Sequence, residues 1–212
     1  MRKKYQLPAF AALEHIEIDL PRLQQAADDL AHKYQSVCDA NPKLCEYHPR
    51  LVDSVYDNFD QINLTEHNGE QVLEDIPEST RDRIRRNQGR KEEAFFNKPT
   101  PEYTGSYFED IVKQFKHDAM RVRITRLAPH TQIPLHIDYD PTYATRIIVP
   151  IYTNAKVFNR FKVKNQVITG YLEAGHAWFL NTGFAHGVEN CSDHNRIALM
   201  FSLDGQADLS DI

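Results

Sequence analysis

The sequence predicts an α+β fold in which helices come first and short strands dominate the second half of the chain. Apolar residues recur at helical spacing between Leu20 and Tyr34, directly after Asp19, a residue type favoured at helix N-termini. Later apolar runs are short, rich in β-branched or aromatic residues, and separated by Pro, Asn or Gly. An amphipathic helix packed on a strand-rich core accounts for both patterns.

The elements are predicted in chain order from their periodicity. After the helix over 20–34, helical spacing predicts two further helices over residues 77–88 and 107–119. Strands are predicted over residues 122–127, 146–152, 157–163, 177–181 and 196–203. Gly175 and the run 181–183 lie on either side of one of these strands and predict turns. Such turns either direct a neighbouring side chain toward the mouth of a barrel or simply close hairpins.

Length and composition fit one domain over residues 1–212, because 41% hydrophobic residues are enough for a sizeable core. We expect a helix-rich flank with early core strands over 1–120 and a β core over 121–205. Cys38, Cys45 and Cys191 are odd in number and are not spaced like zinc ligands, so we expect reduced thiols. The N-terminus lacks the apolar segment of a signal peptide, and we therefore expect a cytoplasmic protein without membrane association.

Two histidines and one aspartate form a candidate metal-binding set. His136 and Asp138 lie two positions apart in a stretch whose alternation predicts a strand, so both side chains should point to one face. His186 lies fifty positions later and must reach the same ion through a long-range contact. Such a set is typical of non-haem iron(II) oxygenases, and many short strands around a metal favour a double-stranded β-helix, the jelly-roll or cupin-like barrel.

Arg196 completes a candidate oxygenase site. Three ligands on one face of an octahedral iron leave room for a chelating 2-oxo acid and for dioxygen. The far carboxylate of that acid then needs a buried cation, and a guanidinium pairs with two oxygens at once. Arg196 opens the apolar run 196–202 and is placed for this role. A His-x-Asp pair alone would be weak evidence, because the chain contains ten histidines.

Four segments together resemble a known family. They are Arg-Ile-Thr-Arg-Leu-Ala-Pro-His-Thr-Gln-Ile-Pro-Leu-His-Ile-Asp over 123–138, Thr-Arg-Ile-Ile-Val-Pro over 145–150, Gly-His-Ala-Trp-Phe-Leu-Asn over 175–181, and His186 with Arg196. In order and spacing they resemble the aspartyl/asparaginyl β-hydroxylase family, which includes hydroxylases of protein side chains and small bacterial enzymes such as proline cis-4-hydroxylases. The resemblance is tight over 121–205. Upstream, residues 16–20 and 62–67 resemble the family's opening strand and an early core strand, and residues 68–118 have no recognisable match.

The resemblance implies a role for several residues. His136, Asp138 and His186 would be the iron(II) ligands, and Arg196 would bind the distal carboxylate of 2-oxoglutarate. Arg146 matches an arginine near this cosubstrate, and Thr125 occupies a position where a hydroxyl assists. The chain departs from the family at one position, because Arg-x-His is replaced by Arg146-Ile-Ile148.

The implied reaction uses iron(II), 2-oxoglutarate and O2 to hydroxylate an unactivated C–H bond, with release of succinate. By analogy we expect the substrate to be an amino acid or an amino-acid-like side chain, carried by a small molecule or a peptide. Tyr139, Asp140 and Trp178 lie near the ligands in sequence, and an aromatic entrance with a carboxylate would suit an amine. Packing alone would also explain these aromatic residues.

Two other functions keep the same residues. A cupin-like metal protein could use the three ligands without 2-oxoglutarate, and a non-catalytic sensor could bind 2-oxoglutarate without turnover. Release of succinate would distinguish the hydroxylase from both.

Three further expectations concern partners. A basic cluster could attract nucleic acid, but with a net charge of −5 a solvated helix face is the preferred interpretation. This cluster consists of Arg81, Arg83, Arg85, Arg86, Arg90 and Lys91. Residues 68–118 are long enough to form either a lid or a surface subdomain, and a homodimer is the common default among oligomers.

Overall fold

The computed structural model describes residues 1–40, 51–53, 59–68 and 92–212 of the chain. The first predicted helix is confirmed as α1, Leu20–Ala40. The carboxylate of Asp19 accepts a hydrogen bond from the backbone N–H of Arg22 at 3.1 Å and so caps its N-terminus. The helix buries Leu23, Ala27 and Leu30 in the core, at the spacing that the sequence shows.

The predicted helix over 107–119 is wrong in its second half. The observed helix, α2, is Tyr107–Val112, capped by the Ser106 hydroxyl. A tight turn follows, in which the N–H of Phe115 donates to the carbonyl of Val112 at 3.2 Å. This turn keeps Phe115 buried on the same side of the chain as the buried residues of α2. The helical spacing of apolar residues in the sequence therefore continues beyond the end of the helix. The predicted helix over 77–88 and the basic cluster lie outside the described residues.

Thirteen strands are observed in the described part of the chain, and all of their pairings are antiparallel. A seven-stranded sheet has the order β1-β11-β8-β13-β6-β3-β2, and a four-stranded sheet has the order β10-β9-β12-β7. The strands are β1 Phe10–Ala12, β2 Leu51–Asp53, β3 Phe59–Asn63, β4 Thr65–Glu66, β5 Lys98–Pro99, β6 Ala119–Leu127, β7 Thr131–His136, β8 Thr145–Tyr152, β9 Val157–Val163, β10 Gln166–Gly170, β11 Trp178–Leu180, β12 Ala185–Asn190 and β13 Arg196–Leu203. Strands β4 and β5 form a separate two-stranded ribbon.

The five strands predicted downstream of residue 120 are confirmed as β6, β8, β9, β11 and β13, and the early core strand corresponds to β3 and β4. Two strand predictions are wrong. Residues 16–20 are not a strand, because the strand that precedes α1 is β1. Strand β7 ends at His136, so Asp138 lies beyond the strand rather than on it.

The core has two parts. The larger part packs α1 and α2 on the seven-stranded sheet and includes Phe108, Phe179 and Phe201. A smaller cluster contains Phe161 from the four-stranded sheet with Ile148 and Ala198 from the larger one, so the two sheets pack face to face. Two antiparallel sheets with flanking helices are the jelly-roll, or double-stranded β-helix, fold that the sequence predicts.

None of the helices in the described ranges is both long and apolar enough to cross a membrane.

Candidate metal centre and cosubstrate cavity

The fold brings His136, Asp138 and His186 together. One ligand atom from each residue lies within 4.8 Å of the others. The Nε2 atom of His136 is 3.6 Å from Oδ1 of Asp138, and the Nε2 atom of His186 is 3.7 Å from Oδ2 of the same carboxylate. Two imidazoles and a carboxylate at these separations can surround one divalent ion.

Backbone hydrogen bonds orient both imidazoles for metal binding. The Nδ1 atom of His136 lies 2.9 Å from the carbonyl of Pro134, and that of His186 lies 3.1 Å from the carbonyl of Phe184. A carbonyl only accepts, so each Nδ1 carries the proton and each Nε2 presents its lone pair to the centre. Metal-binding histidines commonly have such a partner on the second nitrogen.

A close approach of two strands places the histidines side by side. His136 and His186 are direct partners in the β7–β12 ladder, and their ring centroids are 4.3 Å apart. The register shifts between His186 and Val188, at Gly187. A Cβ atom at Gly187 would lie 2.6 Å from the carbonyl oxygen of Ile133, so a glycine is required at this irregularity.

Asp138 is held by a loop contact instead of a ladder. Its backbone N–H donates to the carbonyl of Thr182 at 3.2 Å, and the hydroxyl of Thr182 donates to the carbonyl of Tyr139 at 3.1 Å. These two bonds fix the segment after β7 against the turn that follows β11. The carboxylate therefore faces the histidines although it lies outside the strand.

The electrostatics keep the three groups ready for a cation. Burial lowers the pKa of His186 to about 4 against the opposing charge of Asp138, and repulsion from a protonated His136 contributes to this shift. At neutral pH the imidazole is therefore uncharged, which is the form that binds metal. Burial would raise the pKa of Asp138, but the positive charges of Arg146, of the two histidines when they are protonated, and of Arg123 outweigh it and lower this pKa.

A cavity of about 410 Å³ adjoins the metal centre between the two sheets. The three candidate ligands lie on its wall together with Tyr139 and Ile148. Its charged lining also includes four arginines and one glutamate, which are Arg121, Arg123, Arg146, Arg196 and Glu93. This size and mixture of apolar walls with a few charged groups are typical of small-molecule sites.

Arg196 is a buried cation without a carboxylate partner among the described residues. Its side chain lines the cavity, and the residue is only 4% exposed. Burial lowers its pKa to about 10, and no neighbouring acid offsets this shift. Such an arginine is costly unless an anion enters the cavity to pair with it.

Arg146 has a different environment. Its Nη2 atom donates to Oε1 of Glu93 at 2.9 Å and lies 3.6 Å from Oδ2 of Asp138. Both Arg146 and Glu93 are nearly inaccessible, at 6% and 1% exposure. Glu93 and Asp138 outweigh the effect of burial and raise the pKa of Arg146. This arginine is thus tied to a protein carboxylate and braces the Asp138 carboxylate.

Three of the sequence-predicted residues lie away from the cavity lining. Thr125 is fully buried, and its hydroxyl donates to the carbonyl of Ala198 at 3.2 Å. The Asp140 carboxylate accepts from the backbone and hydroxyl of Thr142 in a local turn. The Trp178 indole donates to the carbonyl of Glu173 at 3.1 Å. The cavity lining includes Tyr139 but none of these three.

Sequence reasoning missed Glu93, Arg121 and Arg123. Glu93 lies in a short 3-10 helix, Glu92–Phe95, in the segment without a recognisable match. Arg121 and Arg123 lie two positions apart on β6, and both line the cavity. Two arginines at this spacing along a strand indicate a shared charged face, which the sequence could have revealed. Arg121 also adopts a φ of 52°, a left-handed backbone that is uncommon for arginine and is often found near functional sites.

The sequence model of the aspartyl/asparaginyl β-hydroxylase family matches residues 86–204. The chain belongs to this family. The match covers more than half of the chain and begins at residue 86, so it takes in Glu93 as well as the β core. Members of the family are 2-oxoglutarate- and iron(II)-dependent hydroxylases, and this chain is an enzyme of that class. No curated protein matches the chain significantly in sequence.

Three solved structures are similar to this chain, and the first of them supports the fold. A non-heme monooxygenase, ThoJ, in a nickel complex is 13% identical, with a TM-score of 0.50 over 94% of this chain and 74% of that chain. A 2OG-Fe(II) oxygenase family oxidoreductase from Burkholderia pseudomallei is 13% identical, with a TM-score of 0.43 and 77% coverage of both chains. A cupin domain from Bordetella pertussis is 18% identical, with a TM-score of 0.33 over 43% of this chain and 88% of that chain.

The residues present fit both groups that the family uses. The paired Nε2 atoms and the ionised Asp138 form a donor set suited to iron(II). Arg196 supplies a buried cation with no carboxylate partner among the described residues, and Ile148 contributes an apolar side chain to the same cavity lining. Ile148 packs in the cluster of Phe161, Leu180 and Ala198.

Proposed function

We propose that His136, Asp138 and His186 hold iron(II) and that Arg196 binds the distal carboxylate of 2-oxoglutarate. The enzyme would use O2 to hydroxylate an unactivated C–H bond of an amino acid or an amino-acid-like side chain. One observation carries the proposal. Three ligand atoms lie within 4.8 Å of one another on the wall of a cavity. The same cavity is lined by a buried arginine that has no acidic partner among the described residues.

When bound, iron(II) with 2-oxoglutarate supplies the oxidation of the C–H bond and yields succinate and carbon dioxide. The residues of the chain contribute binding and orientation. The carbonyls of Pro134 and Phe184 hold both imidazoles with Nε2 toward the centre. The apolar side chains of Ile148, Phe161 and Leu180 line the cavity and exclude water from the reacting groups.

Arg146 and Glu93 keep the charge of the site in place. Arg146 lies between the two carboxylates of Glu93 and Asp138, at 2.9 Å and 3.6 Å. It therefore steadies Asp138 as a metal ligand and leaves Arg196 as the cation for the distal carboxylate.

The proposal is tested first by binding. Anaerobic protein with iron(II) and 2-oxoglutarate should show a metal-to-ligand charge-transfer absorption band. We expect His186→Ala to lose the band, because one ligand is removed. His130→Ala is the matched control, since His130 is exposed and bonds Asp193 on the surface at 2.9 Å. A band that survives His186→Ala would contradict the ligand assignment.

Turnover is tested by succinate release under oxygen. Screening the twenty amino acids and short peptides for stimulated release would identify the substrate class. A protein that binds 2-oxoglutarate but releases no succinate with any of these probes would instead be a sensor. A protein that binds the metal but no 2-oxoglutarate would be a cupin-like metal protein.

A further inference from the structure

We propose that Arg121 and Arg123 form a second anion-binding subsite in the cavity, which holds the carboxylate of a small acidic substrate such as a free amino acid. The inference rests on the proposed function, because it assigns Arg196 to 2-oxoglutarate. It deepens that function by naming the group through which the substrate is recognised.

Arg123 is buried in a way that requires an anion. The residue is 6% exposed and lines the cavity. One Nη1 hydrogen bond runs to the carbonyl of Arg121 at 3.1 Å, and the buried Nε has no hydrogen-bond partner. Burial lowers the pKa of Arg123 well below its ordinary value, and the like charges of Arg146 and Arg121 lower it further. A guanidinium in this setting is costly until a carboxylate arrives.

The charges of the cavity point to the same conclusion. Within the described lining, the acidic residues are Asp138 and Glu93. Bound iron(II) together with Arg196 would balance Asp138 and the doubly negative 2-oxoglutarate. Glu93 pairs with Arg146 at 2.9 Å and lies 3.9 Å from Arg121. The charge of Glu93 therefore offsets one arginine, and Arg121 with Arg123 leaves the cavity net positive in the absence of a further anion.

The second subsite is separate from the first. In the β13–β6 ladder Arg196 pairs with Leu127, whereas Arg123 pairs with Met200. Four residues along a strand correspond to about 13 Å between backbone positions, so the two side chains enter the cavity at different points. Arg123 also lies close enough to Asp138 to interact electrostatically, whereas Arg196 does not. The second anion is thus placed toward the metal end of the cavity.

The same lining offers little to an ammonium group. Both acidic residues already face cations or imidazoles within the protein. We therefore expect the enzyme to recognise its substrate by the acid end, so that blocking the amine is tolerated and blocking the acid is not. A cavity of about 410 Å³ that also admits 2-oxoglutarate favours a small molecule over a folded peptide loop.

The experiment measures binding in the absence of turnover. Zinc replaces iron, because it is not redox-active, and the protein is saturated with 2-oxoglutarate. The probes are the twenty free amino acids, their carboxamides and their N-acetyl forms. Binding of each probe is measured by calorimetry and by thermal stabilisation of the protein. We expect at least one free acid to bind, its N-acetyl form to bind comparably, and its carboxamide to bind at least about 10-fold more weakly.

The variants locate the effect. Arg123→Gln should weaken binding of the acid by about 10- to 100-fold and leave the Kd of 2-oxoglutarate within about twofold, because charged hydrogen bonds are lost at one subsite only. Arg123→Lys keeps the charge and should restore part of the affinity. Arg126→Gln is the matched control, because Arg126 lies on the same strand with an exposed side chain. It should change neither affinity.

The outcomes separate the two proposals. The subsite is refuted if no free acid binds, if carboxamides bind as well as acids, or if Arg123→Gln binds the acid normally. The acid-against-carboxamide comparison uses the unaltered protein, so it decides even if a variant fails to fold. If 2-oxoglutarate itself does not bind, or binds equally to Arg196→Gln, the proposed function fails instead.

Discussion

Replacing Glu93 by Gln should destabilise the protein by about 3–5 kcal/mol. The substitution keeps the shape of the side chain and removes the negative charge that faces Arg146 at 2.9 Å. Both residues are almost fully buried, so water cannot take over the role of the carboxylate. Losing one partner of a buried ion pair typically costs about this much, and Asp138 at 3.6 Å only partly compensates the remaining guanidinium. Arg121 and Arg123 lie nearby and add to the repulsion.

The assay is urea unfolding of the metal-free protein at neutral pH, followed by circular dichroism. Asp110→Asn is the matched control, because Asp110 and Arg22 form an exposed pair at 3.0 Å. That pair should contribute at most about 1 kcal/mol. The double variant Glu93→Gln/Arg146→Gln should recover much of the loss, since it removes both charges. A loss below about 1 kcal/mol in Glu93→Gln would refute the buried-pair interpretation.

The same substitution should also weaken metal binding. Without Glu93, the guanidinium of Arg146 retains Asp138 as a neighbouring carboxylate, at 3.6 Å from Oδ2. Its attraction for that oxygen then competes with the metal. We expect a lower zinc affinity by calorimetry, and an unchanged affinity would show that Arg146 does not act through Asp138.

Three further changes have defined outcomes. Gly187→Ala places a Cβ 2.6 Å from the Ile133 carbonyl oxygen, so it should force β7 away from β12 and lower zinc affinity more than about 10-fold by calorimetry; normal affinity would contradict this. His186 has a pKa lowered to about 4, so the unfolded chain takes up its proton first as pH falls below about 6.5. The metal-free protein should therefore lose roughly 3 kcal/mol between about pH 6.5 and 4, and His186→Gln should show a flatter profile in urea unfolding. Asn181→Ala should cost about 1–3 kcal/mol by the same assay, because its amide donates to the carbonyls of Lys4, Leu7 and Pro8; a neutral result would show that these bonds are dispensable.

The sequence was most informative where the evidence is local or periodic. Strand β9 and strand β13 are found at the predicted residues, because their alternating or apolar runs match the buried positions of the two sheets. The proximity of His136, Asp138 and His186 was also predicted. Their roles as ligands remain a proposal, although hydrogen bonds from each Nδ1–H to a backbone carbonyl orient both rings for metal binding.

The rest of the site depends on contacts that no local pattern reveals. The position of Asp140 beside the ligands predicts a substrate contact, but its carboxylate accepts hydrogen bonds from Thr142, two positions further along the chain. Thr125 lies under the cavity, where the strand register directs its hydroxyl to Ala198. Glu93 reaches Arg146 from a position 53 residues away in sequence, and such a pairing requires the tertiary structure.

The cavity is divided between the two sheets. The histidines belong to the four-stranded sheet, whereas Arg123, Arg146 and Arg196 belong to the seven-stranded sheet. The part that would activate oxygen and the part that would select ligands can therefore be altered separately. For protein engineering, the inward-facing positions of β6 and β13 other than Arg196 are the place to diversify specificity, because changes there leave the β7–β12 pair intact.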